Sequence, residues 1–150
     1  VPTRWIDQGA AQAVPIFRVA TRHLSGLVEV MFKNHVNDRT NWRTMLKEDA
    51  PLLDLPRERD ELLSRLEQDV AVLRDNYSDC APMALTNESV VEITYPVLQY
   101  PAKVTSLNLD KNPIVEGILL GIKGQYLLLD TGCINVRKYT SYHVNFSAEY

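Results

Sequence analysis

The chain has 150 residues, 45% of them hydrophobic and 23% charged, with a formal net charge of −3, which is the composition of a soluble globular protein of one ordinary or two small domains. No apolar run approaches the roughly 20 residues of a membrane helix, no secretory signal opens the chain, and Cys80 and Cys133 are too few for a disulfide framework. A reduced, cytoplasmic protein without a membrane partner is therefore expected. Val1 is not an initiator Met, so the chain is expected to be the inner or carboxy-terminal part of a longer protein.

The charge is unevenly spread. Residues 1–47 carry seven Lys/Arg against three acids, a net +4, and residues 48–88 carry four Arg against eleven Asp/Glu, a net −7. Residues 89–150 balance at five of each. A basic amino-terminal third is able to face phosphate, although no block of five like charges occurs and scattered solvated charges give the same tally.

In chain order, residues 2–8 read as a short helix that Gly9 stops. Pro15 to Arg22 reads as a strand, with Phe17, Val19 and Thr21 alternating against Arg18, Ala20 and Arg22. Ser25 is placed to cap a helix from Gly26, along which Leu27, Val28, Met31, Phe32 and Val36 trace an apolar face. Asn41 opens a further short helix that carries Trp42, Met45 and Leu46, and Ala50-Pro51 breaks it.

The spacing of Leu62, Leu66, Val70 and Leu73 predicts one long helix over about 56–76, with Pro56 tolerated in its first turn and Glu61 placed four residues before Arg65. From Ser89 the period becomes strand-like. Candidate strands are Val91–Tyr95, Lys103–Leu109, Ile114–Ile122, Gln125–Leu129, Cys133–Lys138 and Tyr142–Phe146, with Ile134, Val136, Val144 and Phe146 facing inward. Gly117 and Gly121 inside one run mark a bulge or sharp bend.

The predicted fold class is α+β: a truncated small α/β part, one long helix, then a small antiparallel β-barrel or meander. The predicted domains are 1–88 and 89–150.

Motifs with specific chemistry are few. No metal-binding Cys pair, phosphate loop or HExxH occurs. Cys133 reads as a packing thiol, and His23 with His35 as ordinary histidines. Arg4 and Glu29 are the pair that admits chemistry. An arginine on phosphate and a carboxylate on a divalent cation such as magnesium make a minimal phosphodiester-cutting site, and an ordinary surface ion pair uses the same residues. Arg18, Arg22, Lys33, Arg39 and Arg43 are the candidate phosphate contacts. Tyr139 and Tyr142, beside Arg137 and Lys138, are candidate surface aromatics for base stacking.

The segments PTRWIDQGA, GIKGQYLLLDTG and INVRKYTSYHV resemble a bacterial family known as a numbered domain of unknown function, over nearly the whole chain. That resemblance implies an upstream part with several cysteines and a VGITR-like strand end, and it implies no activity. Residues 3–46, with the run VEVMFKNHVNDRTNW, resemble the later half of a GIY-YIG nuclease domain. This second resemblance implies that Arg4 holds phosphate and that Glu29 is a metal ligand, as the catalytic residues of a nuclease. The strands whose tyrosines name that family have no counterpart here. Two functions are thus expected from the sequence: DNA or RNA binding or processing, and a non-enzymatic module for a protein or RNA partner.

Overall fold

The computed structural model describes residues 2–37 and 39–149. The chain folds as two compact units, one of residues 1–9, 42–49 and 94–150, the other of Ala10–Asn41 and Ala50–Ile93. The chain passes from one unit to the other after residues 9, 41, 49 and 93. The earlier crossings bring two amino-terminal segments into the unit of the carboxy-terminal sheet.

The unit of residues 10–41 and 50–93 is mainly helical. Helix α2 (Arg22–Lys33) starts four residues before the expected Gly26, because the Thr21 hydroxyl, not Ser25, caps it by accepting from the Leu24 N–H at 3.2 Å. That cap also corrects the expected strand over 15–22. Only Phe17–Arg18 (β2) is extended enough to pair, antiparallel with Met83–Ala84 (β3), and Arg22 is helical. A second two-residue pair joins Gln12–Ala13 (β1) to Val91–Glu92 (β4).

The expected long helix is two helices, α4 (Leu55–Arg65) and α5 (Glu67–Asn76), parted at Leu66. The Asp54 carboxylate caps α4 through the Arg57 N–H, and Pro56 sits in the first turn. Apolar spacing runs unbroken through 62, 66, 70 and 73, so periodicity cannot reveal a one-residue departure. The expected burial holds: Leu66 is fully buried with Val28, Met31 and Val70, and Leu62 and Leu73 pack against them.

The other unit contains α1 (Pro2–Asp7), which Gly9 ends at φ 73°, and α3 (Trp42–Met45). Its sheet is an antiparallel meander of β5 (Leu119–Lys123), β6 (Tyr126–Leu129) and β7 (Gly132–Asn135), with β6 central. The register shifts between Leu119 and Gly121, the bulge that the glycines announced. A Cβ on Gly121 would lie 2.7 Å from the Val97 backbone, so the chain at 96–97 crosses where only glycine fits.

The sheet is an open meander and does not close into a barrel. Strands expected over 103–109 and 142–146 do not form, although Ser106 makes an isolated bridge to Cys133. The strand expected to reach Lys138 ends at Asn135, and Val136–Tyr139 curls into a 3-10 turn. That turn buries Tyr139 and leaves Val136, Val144 and Phe146 exposed, contrary to the inward positions expected of them; Ile134 is half-buried. Once the backbone leaves the sheet, a period of two no longer sorts side chains by face.

Candidate functional site

Helix α2 buries Leu24, Val28 and Met31 on one side. Helical spacing puts Arg22, Gly26, Glu29 and Lys33 on another stripe, and all four are exposed. The sequence therefore brings three of its candidate residues onto one helix face, with the Glu29 carboxylate between two cations. Arg18 is exposed on β2. It does not share a strand with Arg22, as the alternating pattern implied. Arg39 follows α2 in an irregular segment, where its N–H donates to the Asn37 side chain at 3.0 Å.

None of Arg18, Arg22, Lys33 and Arg39 forms an ion pair with a described carboxylate. In the acidic stretch the pattern reverses. Arg57 and Arg65 both meet Glu61, at 2.9 and 3.7 Å, and Arg59 meets Asp60 at 2.9 Å. The Glu61 hydrogen bond also raises the Arg57 pKa above its ordinary value. The basic residues near α2 thus keep their charge available, while three of the four arginines of the acidic stretch spend theirs locally.

Arg4 and Arg43 belong to the other unit, on α1 and α3. Arg43 lies over the Trp42 ring, 4.4 Å from its centroid. Trp42 in turn stacks on Tyr126 at 5.9 Å and 5° between planes, so it packs and is not a free stacking platform. Tyr139 is likewise buried: its hydroxyl accepts from the Leu109 N–H at 2.9 Å. Only Tyr142 of the two expected surface tyrosines is exposed, and its hydroxyl donates to Asp110 at 2.6 Å.

Arg4 and Glu29 fall in different units. Among the described residues, no three His, Cys, Asp or Glu side chains gather as metal ligands. Glu29 is a single exposed carboxylate, and magnesium held by one carboxylate needs substrate phosphates to complete its shell. Cys133 is the packing thiol expected: it is buried, and burial pushes its pKa up.

Two polar side chains stand out that sequence patterning did not single out. Lys123 is 2% exposed. Its ammonium donates to the Glu48 carbonyl at 3.0 Å and the Tyr100 hydroxyl at 2.8 Å, and Asp49 lies 3.5 Å away. The Tyr100 hydroxyl donates onward to Asp49. Burial lowers the Lys123 pKa, against the pull of Asp49, and burial followed by the Asp49 hydrogen bond raises that of Tyr100. These contacts fasten residues 48–49 to the sheet. Its signal was parity: Lys123 shares the inward face of β5 with Gly121. The second is Arg59, 5% exposed, on the apolar stripe of α4 with Leu55 and Leu62.

The family described as "Protein of unknown function (DUF2797)" matches residues 1–144. The chain belongs to the DUF2797 family. Comparison with curated proteins and with solved structures returns no match. This DUF2797 chain has, among its described residues, no helix long and apolar enough to cross a membrane.

Proposed function

We propose that this DUF2797 chain binds nucleic acid through the basic residues around α2. One observation carries the reading: Arg18, Arg22, Lys33 and Arg39 are exposed and make no ion pair with a described carboxylate. An exposed cation without a partner gains most from an external phosphate, because no internal pair has to break first. The same unit holds eight Lys/Arg against twelve Asp/Glu, a net −4, so long-range repulsion keeps affinity for a generic duplex modest. Binding is the reading these side chains support. Cleavage by Arg4 and a Glu29-bound cation adds a requirement that the two meet over one phosphate.

The test is a set of charge changes read by fluorescence anisotropy on a labelled duplex and a labelled single-stranded RNA. Arg18→Glu and Arg22→Glu weaken binding at least ten-fold when combined. Arg57→Glu, which alters a cation already paired, leaves it within about two-fold. Glu29→Gln strengthens binding slightly by removing the carboxylate between Arg22 and Lys33. Equal losses at Arg18/Arg22 and at Arg57 would overturn the assignment of the face.

A second reading, a module for a protein partner, is supported by apolar side chains in the other unit. Leu98 is 91% exposed, Ile114 79% and Phe146 77%. Exposed apolar groups of this kind are common at protein contacts when they gather in one patch. Analytical ultracentrifugation of the chain with Leu98→Ser and Phe146→Ser, compared with the unaltered chain, measures whether they drive association.

A further inference from the structure

A cleft of about 400 Å³ opens in the unit of residues 10–41 and 50–93, a volume typical of small-molecule sites. Its walls are largely apolar, with Ile16, Phe32, Val36, Leu53 and Leu62 among them. Arg59 is part of the lining. Its Nε–H donates to Asp60 at 2.9 Å, but Nη1 is buried and has no hydrogen-bond acceptor. A guanidinium nitrogen kept from water without an acceptor is costly and uncommon in a native fold. Arg59 lines the cavity, so a ligand seated there is able to approach the guanidinium and supply what the protein does not.

The charges around the cleft do not by themselves attract an anion. Lys33, Arg59 and Arg65 are matched by Glu29, Glu58 and Glu61. Glu61 is already engaged by Arg57 and Arg65. The Asp60 carboxylate compensates Arg59 in part, but that side chain is 61% exposed and its field is screened. Selection of a ligand therefore rests on the short-range geometry of one guanidinium, next to apolar walls that accept a hydrocarbon body.

We propose that the cleft binds a small amphiphile whose carboxylate or phosphate head completes the Arg59 guanidinium while its apolar body lies against Ile16, Phe32 and Val36. Arginine suits this role because its planar guanidinium offers a carboxylate or a phosphate two parallel donors. The site is separate from the phosphate-facing residues proposed above, apart from Lys33, which borders both.

The experiment is calorimetric titration of the chain with octanoate and octyl phosphate below their micelle concentrations and with octanol below its solubility limit, followed by amide NMR. The expected result is that octanoate or octyl phosphate binds at least ten-fold more tightly than octanol, with shifts at Ile16, Phe32 and Val36. The tighter of the two anions identifies the head group. Arg59→Met is expected to reduce that anion to the affinity of octanol. Val36 lies beyond the end of α2 and is 47% exposed, so Val36→Asp tests the apolar wall without touching the core. It is expected to weaken the octyl anions at least ten-fold even if Arg59→Met does not fold. Equal binding of octanol and the anions, an anion preference that survives Arg59→Met, unchanged affinity in Val36→Asp, or no binding of any probe would each overturn the proposal.

Discussion

Replacing Arg59 by methionine should make the unliganded protein more stable, an unusual expectation for removing a buried charged residue. The side chain is 5% exposed and Nη1 has no acceptor. An unsatisfied buried donor costs about 1–3 kcal/mol, and methionine removes it while following much of the same path along α4. Two terms oppose the gain. The Arg59–Asp60 contact is lost, but Asp60 is 61% exposed and such pairs contribute at most about 1 kcal/mol. Methionine is also shorter, but the space it leaves adjoins an open cleft and not a sealed core. The net expectation is a gain of about 1 kcal/mol. Urea denaturation followed by far-ultraviolet circular dichroism is the assay, because α2, α4 and α5 all lie in this unit while Trp5 and Trp42 report on the other. A loss above about 1 kcal/mol would refute the reasoning, since it would mean that the folded chain satisfies the guanidinium. A bound anion should reverse the order of stability, because linkage stabilises only the protein that binds it.

Three further outcomes are expected. Leu66→Ala, at the fully buried residue between α4 and α5, should cost about 2–5 kcal/mol in the same urea assay, and a value below about 1 kcal/mol would mean that the helices do not depend on their core contact. Tyr100→Phe keeps the ring under the Lys123 ammonium but removes a hydroxyl that it donates to, so it should cost about 1–3 kcal/mol by tryptophan fluorescence; no loss would show that Glu48 and Asp49 suffice. The Tyr142 hydroxyl, and after it Lys138, hold the Asp110 pKa below the ordinary carboxylate value. The folded state therefore binds its proton less readily than the unfolded state, so the stabilisation is present above the ordinary carboxylate range and lost as pH falls through the lowered folded value. Carboxyl NMR titration should find the Asp110 midpoint moving upward in Tyr142→Phe, and an unchanged midpoint would remove the tyrosine from that account.

The sequence was most legible where one physical rule acted alone. Gly9 stops a helix because glycine adopts a positive φ easily, and Leu66 and Val70 are buried, with Leu62 and Leu73 packed against them, because one helical stripe has to face a core. It was least legible where two rules competed. Phe17 to Arg22 alternates like a strand, but the Thr21 hydroxyl captures the Leu24 N–H and starts a helix, so the local cap overrides the period. Val136, Val144 and Phe146 alternate too, but a period of two sorts side chains only while a sheet continues, and the chain leaves it after Asn135.

The candidate site divides in the same way. Spacing alone placed Glu29 and Lys33 on one stripe of α2, and the earlier start of the helix added Arg22. The pairing that frees some cations and engages others depends on contacts between side chains, which spacing does not fix. Arg59 carried a readable signal, a charge on an apolar stripe beside Leu55 and Leu62. That its Nη1 lacks an acceptor follows only from the packed structure.

The most direct test of the proposed function is the salt dependence of binding to nucleic acid by the intact chain. Each neutralised phosphate releases condensed counterion, so the logarithm of the association constant falls linearly with the logarithm of salt concentration. If Arg18, Arg22, Lys33 and Arg39 all contact phosphate on a duplex, the slope should be about −3 to −4, and removal of the Arg18 and Arg22 charges should reduce it by about 2. A slope near zero, or no binding to any duplex or single strand at low salt, would contradict the account.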